Sequence, residues 1–352
     1  MVARERRLDL MGRTILVTGG SGYFGTVVAQ QALARGDAVR ILDVNPPSLS
    51  ADEADYIAGD IRDLSTARAA CDGVDVVLHN VAQVPLARDR ELFDSVNVVG
   101  TANVLVAARD ARVAKVVHTS SSAVFGRPES NPVVEDAPCH PVEAYGRAKL
   151  RAEQLCHEAV AAGLDVTIVR PRTILGHGRL GIFAVLFDFV AEGSAVYVLG
   201  RGDNRYQLVH ADDLADACLR AGDREGATTY NVGAVEFGTM RETIQALVDH
   251  AATGSTIRSL PTGPAQIAMR GLAAIGQAPF APYHWLMYGE SLYFDTTKAR
   301  TELGWEPRHS NGSMLIESYD WYLAHRAALA EGGSHHQSPV RLGVLKVLRK
   351  LP

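Results

Sequence analysis

Residues 14–25 read TILVTGGSGYFG: a short apolar, β-rich run, Thr14 to Thr18, that breaks into glycines at Gly19, Gly22 and Gly25. Thr26 to Ala34 then reads as a helix, stopped by Gly36. A turn that brings backbone N–H groups close to a pyrophosphate needs residues free of Cβ or able to take positive φ. The helix that follows presents its N-terminus to the phosphates. Glycines in this spacing are a weak sign alone, but between a strand and a helix they match what a dinucleotide requires.

Outward from the turn, Ala38 to Val44 (AVRILDV) forms a second strand candidate with Asp43 near its end, 24 residues after Gly19. An acid there accepts hydrogen bonds from an adenosine ribose, and its charge repels a 2′-phosphate. Asn45 supplies no compensating cation, so the expected cofactor is NAD, with NADP less suited. Asp60 and Ile61, in GDIRD, follow a third strand and flank the adenine.

Val74 to Leu78, Lys115 to Thr119 and Asp165 to Arg170 are further apolar strand candidates. Ser95 to Ala108 and Ala144 to Ala162 are helical stretches between them. Buried strands joined by helical crossovers predict an α/β fold, a Rossmann-type doubly wound parallel sheet. The expected organisation is a lead-in over 1–12, an NAD-binding domain over 13–175 joined by segments near 205–235, a mainly substrate-binding lobe over 176–330, and a linker with a basic tail over 331–352. A final helix fits Ser313 to Ala330.

The chain has 352 residues, 47% hydrophobic and 21% charged, which suits a globular protein with a large core. Its formal charge of −5 gives no nucleic-acid footprint. The four cysteines form no CxxC pair, and neither HExxH nor a clustered carboxylate set occurs, so no catalytic metal is expected. Neither a signal-peptide run nor an apolar stretch of spanning length is found, which predicts a cytoplasmic protein.

Tyr145 and Lys149, in AYGRAK, stand four apart at a helix start and therefore share a face. A lysine one turn away lowers a phenol pKa, making Tyr145 a usable acid/base near neutral pH. Lys149 also has the length to reach a ribose hydroxyl. Ser120, Ser121 and Ser122 end the strand from Lys115, and a hydroxyl among them can bond a substrate oxygen.

With these residues in hand, the chain resembles the extended short-chain dehydrogenases/reductases over about Thr14 to Tyr322. The matching segments include TGGSGYFG, GDIRD, HNVAQV (79–84), NVVGT (97–101), TSSSAVFG (119–126), YGRAK, VRP (169–171), VHADDLADA (209–217), YNVG (230–233) and FDTTKARTELGWEP (294–307). The resemblance implies Ser121 as the catalytic serine, Tyr145 as acid/base, and Lys149 as its modulator and ribose ligand. It implies cofactor contacts from Gly19, Gly22, Tyr23, Phe24, Gly25, Asp43, Asp60, Ile61, Val81, Ala82, Asn97 and Pro171. Substrate contacts fall on Gln83, Ser121, Ser122, Thr173, Arg205 and Tyr206. Members are often homodimers through the helices near 95–110 and 145–162.

Two branches of the family compete for the substrate. Nucleotide-sugar epimerases and dehydratases resemble this chain in TSSSAVFG and ELGWEP. They commonly hold a diphosphate with Arg four residues before the His of VHADD, where Tyr206 stands here, and often carry Asn where Thr173 stands. Arg172, Arg179 or Arg205 are the substitutes at hand. The 3β-hydroxysteroid dehydrogenase-like branch, which includes reductases of bulky β-keto acids, resembles it in Tyr293–Phe294–Asp295 and in an aromatic run over 279–293. Aromatics pack a lobe as readily as they line an apolar pocket. The reading favours the nucleotide-sugar branch; the intact Ser–Tyr–Lys set argues against a non-catalytic dinucleotide sensor.

From Gly333 onward there are Arg341, Lys346, Arg349 and Lys350 but no Asp or Glu. In VRLGVLKVLRKL these alternate with Val340, Val344, Val347, Leu348 and Leu351 on one helical face. Such a segment, over 340–351, suits peripheral contact with an anionic membrane, or docking on its own lobe or on a second subunit.

Overall fold

The computed structural model describes residues 12–83, 90–178, 180, 183–274 and 289–330. The lead-in over 1–11, Arg179, the aromatic stretch over 279–288, and the linker and tail lie outside the described residues.

Strand β1 (Thr14–Thr18) is followed by α1 (Tyr23–Ala34), β2 (Ala38–Asp43), β3 (Asp55–Ala58), α2 (Leu64–Cys71) and β4 (Val76–His79). After α3 (Arg90–Asp94), a π-helical turn Ser95–Val99 leads into α4 (Gly100–Asp110), β5 (Lys115–Thr119), α5 (Ala144–Ala161) and β6 (Val166–Pro171). The order continues with β7 (Thr173–Leu175), α6 (Phe183–Ala191), β8 (Val196–Leu199), β9 (Leu208–His210), α7 (Ala211–Asp223), β10 (Thr228–Val232), α8 (Met240–Ala251) and β11 (Ile257–Leu260). Helices Thr262–Ala274, Thr297–Leu303 and Asn311–Ala330 complete the described elements.

Seven strands form one sheet in the order β10-β6-β5-β4-β1-β2-β3, with every neighbouring pair parallel. The order reverses between β1 and β4, and at such a switch point the carboxyl ends of the strands open a crevice for ligands. Because both faces are covered, strands such as β4 and β5 are buried throughout rather than alternating. One face packs Ile15, Val17 and Leu78 against Val28 of α1 and Leu214 of α7; the other packs Leu16, Val77 and Val116 against Val104 of α4 and Cys156 of α5.

The predicted helix at Ser95 begins instead as the π-turn, and the α-helix proper starts at Gly100. Helix α1 starts at Tyr23, three residues earlier than its periodicity suggests, because Gly22 already accepts the first helical bond from Thr26 N–H. Two short parallel pairs, β7 with β9 and β8 with β11, belong to a second region with its own core around Phe187, Val198, Leu247 and Tyr319. Trp305 packs into the sheet layer: it is fully buried in the core of that face, and its Nε1–H donates to the Asp213 carbonyl of α7 at 2.8 Å. Among the described residues, no helix is long and apolar enough to cross a membrane.

Candidate active site

The glycine turn closes on itself at the end of β1. Gly19 N–H donates to the Leu42 carbonyl of β2, and Gly22 N–H to the Gly19 carbonyl. Gly19 sits at φ +71°, and a Cβ on Gly25 would lie 2.0 Å from the Gly19 oxygen, so no side chain fits where α1 crosses the turn. Asp43, at the end of β2, accepts the N–H of Ser21 at 3.1 Å and of Asn45 at 3.0 Å. One carboxylate thus braces the turn, and its remaining lone pairs stay available to ribose hydroxyls. A bare turn, a helix N-terminus and a strand-end acid fit an NAD molecule.

Of the residues expected near the adenine, Ile61 is buried against Gly100 at the start of α4. Asp60 is turned to Arg62, whose side chain holds its carboxyl below the usual range. Val81, Ala82 and Gln83 leave β4 half-buried, and Val81 Cα lies 2.9 Å from where a Gly19 Cβ would be, which brings this loop against the glycine turn. The Tyr23 hydroxyl lies beside Gly176, which follows β7.

Asn97, in the π-turn, is 1% exposed and grips Gln83 by both backbone polar groups, at 2.7 and 3.0 Å. A π-turn inserts one residue into a helix and re-aims a side chain; here it points an amide at the loop beside the cofactor crevice. A second chain of bonds runs beneath it. Thr101 Oγ1–H donates to the Asn97 carbonyl, so His79 Nε2 must donate to Thr101 Oγ1 at 2.9 Å. His79 Nδ1 then accepts from Thr18 Oγ1, at 2.8 Å. Burial, with the Lys149 charge nearby, pushes His79 down to about 3, so it stays neutral.

Ser121, Tyr145 and Lys149 come from the end of β5 and the first turns of α5. Ser121 is half-buried, and its Oγ accepts Ala123 N–H at 3.2 Å, which leaves the hydroxyl proton to donate. Tyr145 is 8% exposed in a cluster with Phe93, Phe125 and Phe294. Helix α5 can start there because the Glu143 carboxylate accepts the N–H groups of Tyr145 and Gly146. Lys149 is buried; its Nζ donates to the Thr119 carbonyl at 2.8 Å, and burial lowers it to about 8 against the pull of Cys156 and Glu153. Ser122 is buried under the turn.

One turn beyond Lys149, Glu153 accepts Ser120 Oγ at 2.5 Å and two bonds from Arg170 of β6, at 2.9 and 2.7 Å. This buried triad joins α5 to β5 and β6. It escaped sequence reasoning because its members are 17 to 50 residues apart and carry no motif.

The expected substrate residues separate into two groups. Thr173 and Tyr206 meet, Oγ1 to Oη at 2.7 Å, beside Pro171 of β6. Arg205 is exposed, with its guanidinium over the rings of Phe237 and Tyr293, at 4.7 and 4.5 Å. Near Tyr23, His210, His309 and Glu317 bring ligand-type atoms within 4.8 Å of one another. The two imidazoles stack at 3.9 Å with only 22° between planes. Ring lone pairs lie in the ring plane, so near-parallel rings do not aim at one ion as they stand.

The profile of the NAD dependent epimerase/dehydratase family matches residues 15–233. An uncharacterised Sinorhizobium fredii protein, y4nG, is 52% identical over 96% of this chain and 85% of its own. UDP-glucose 4-epimerase of Mycolicibacterium smegmatis is 32% identical over 87% of this chain and 97% of its own. A 3 beta-hydroxysteroid dehydrogenase/Delta 5-->4-isomerase of Mycobacterium tuberculosis is 30% identical over 89% and 91%. Among solved structures, a UDP-glucose-4-epimerase of Stenotrophomonas maltophila with bound NAD and formylated UDP-arabinopyranose superposes with a TM-score of 0.71 and 26% identity, covering 90% of this chain and 99% of that one.

Proposed function

The chain belongs to the NAD-dependent epimerase/dehydratase family, and from that premise we propose that it is a nucleotide-sugar epimerase or dehydratase working at a secondary alcohol carbon. The catalytic part is supported by Ser121 capping the turn after β5, by that turn packing in one cluster with Tyr145 of α5, and by the Lys149 bond to Thr119 at the end of β5. The nucleotide-sugar part is supported by the UDP-glucose 4-epimerase relatives.

NAD, when bound, accepts and returns a hydride at its nicotinamide. Gly19, Gly22, Tyr23, Phe24 and Gly25 would hold its pyrophosphate, Asp43 its ribose, and Pro171 would flank its nicotinamide. Tyr145 takes the hydroxyl proton as the substrate carbon is oxidised and gives it back as the carbonyl is reduced. Ser121 donates its free hydroxyl proton to the same substrate oxygen. Lys149 stabilises the ionised phenol electrostatically, and its burial strengthens that effect. Asn97 holds the loop of Val81, Ala82 and Gln83 in place. Two copies pair through the stretches near 95–110 and 145–162; Val99, the last residue of the π-turn before α4, is 48% exposed there.

A second reading, oxidation of a bulky apolar alcohol, is favoured by the 3 beta-hydroxysteroid dehydrogenase relative and by Phe294 packed on Phe125 at 5.6 Å, an apolar wall near Tyr145. Tyr145→Phe tests the shared chemistry. Turnover should fall by about 10²–10⁴-fold while NAD affinity holds. A variant that keeps most of its activity would remove Tyr145 from its role.

A further inference from the structure

The segment VRPRT carries two buried arginines, and the chain treats them differently. Arg170, 5% exposed, is fully matched by the Glu153 carboxylate and the Glu135 carbonyl. Arg172, 1% exposed, keeps its backbone bonded to Val232 at 2.9 Å, yet its Nε, Nη1 and Nη2 are all buried without a hydrogen-bond partner. Among the described residues, no carboxylate pairs with it. Its guanidinium lies 5.0 Å from the Tyr206 ring centroid and 5.6 Å from that of Phe294. Ring contacts offset only part of what removing a guanidinium from water costs.

The surroundings give this cation a direction of use. Thr173 follows it, bonded to Tyr206. Phe294 packs edge-on against Phe125, at the end of the turn that Ser121 caps, and both phenylalanines share the Tyr145 cluster. The unmatched charge therefore lies over Phe294, which packs on Phe125 in the cluster that also holds Tyr145. A guanidinium fork binds planar oxyanions bidentately, whether carboxylate or phosphate.

We propose that Arg172 is the receptor for an oxyanion of the substrate, with Thr173 and Tyr206 as its flanking hydroxyls. The inference rests on Ser121, Tyr145 and Lys149 being the reacting site. A neutral sterol would leave Arg172 unmatched; an acidic substrate completes it.

The test uses full-length, NAD-loaded protein, wild type, Arg172→Met and Arg172→Lys. Melting and calorimetric titration are followed with UDP-glucose, UDP-glucuronate and inorganic pyrophosphate. Without ligand, Arg172→Met should melt at or above the wild-type temperature, because a mismatched charge is gone. It should bind at least one of the three anions at least tenfold more weakly than wild type, with Arg172→Lys in between. Comparing the diphosphate with the sugar carboxylate tells which oxyanion is held. Equal binding by wild type and Arg172→Met, or no anion binding to wild type, overturns the proposal. Loss of folding in both variants also does so, by assigning Arg172 to the fold. Epimer formation with unchanged binding in Arg172→Met sinks this inference alone. Arg172-dependent anion binding without turnover of any nucleotide sugar supports it while sinking the epimerase reading.

Discussion

Asn97 and Gln83 are joined twice: the Gln83 N–H donates to Asn97 Oδ1, and Asn97 Nδ2 donates to the Gln83 carbonyl. Asn97→Ala leaves both backbone groups unpaired at a part-buried position. The expected cost is about 2–3 kcal/mol of stability, read by urea unfolding. NAD affinity should fall too, since Val81, two residues back, abuts Gly19. Wild-type stability and affinity together would contradict the brace.

The Glu153–Arg170 pair is buried on both sides, at 2% and 6% side-chain exposure. Glu153→Met alone strands the Arg170 charge and should cost about 3–5 kcal/mol. The double variant Glu153→Met, Arg170→Met should recover most of that loss. A strictly additive double variant would mean that the two residues act independently.

Lys149 is held near 8 by burial, below its usual 10.5. The unfolded chain therefore binds a proton between those values that the folded chain lacks, and stability there rises with pH. At neutral pH the buried charge weighs against folding. Lys149→Met should melt no lower than wild type at pH 7 while losing nearly all turnover, an exchange of stability for function. A clear fall in melting temperature would show that its bond to Thr119 outweighs the desolvation.

Burial depresses three histidines: His79 to about 3, His118 well below its usual value, and His210 to about 4. The Lys149 charge adds to the first two, and His309 to the third. Their folded pKa lies below the unfolded one, so unfolding takes up protons below about pH 6.5. Stability from them is present above that pH and is lost as pH falls. Each contributes a slope of about 1.4 kcal/mol per pH unit. Both ring nitrogens of His118 are unpartnered, so His118→Phe should fold and reduce proton uptake on unfolding near pH 5 by about one. An unchanged uptake would contradict its buried neutral state.

The parallel sheet was legible because β1 and β5 carry their own apolar runs, which match the observed bounds, and α5 its own periodicity, which overruns the observed end by one residue. Tyr145 and Lys149 were legible because four-residue spacing is local. The Asn97–Gln83 brace was not, since it joins residues 14 apart that share no periodicity and meet only through the π-turn. Glu153, Arg170 and Arg172 look alike as isolated charges. Only the fold shows that one arginine is matched and the other is not. Arg205, expected at the substrate, carries its guanidinium over the rings of Phe237 and Tyr293, which only the fold brings together.

The central claim, oxidation and re-reduction of a nucleotide sugar at Tyr145, is tested most directly by one incubation. NAD-loaded protein is given UDP-glucose, and in parallel a hydroxysteroid, with absorbance followed at 340 nm and products separated by chromatography. The account predicts a new nucleotide-sugar product without net NADH, absent in Tyr145→Phe. Stoichiometric NADH from the steroid, with UDP-glucose returned unchanged, would contradict it.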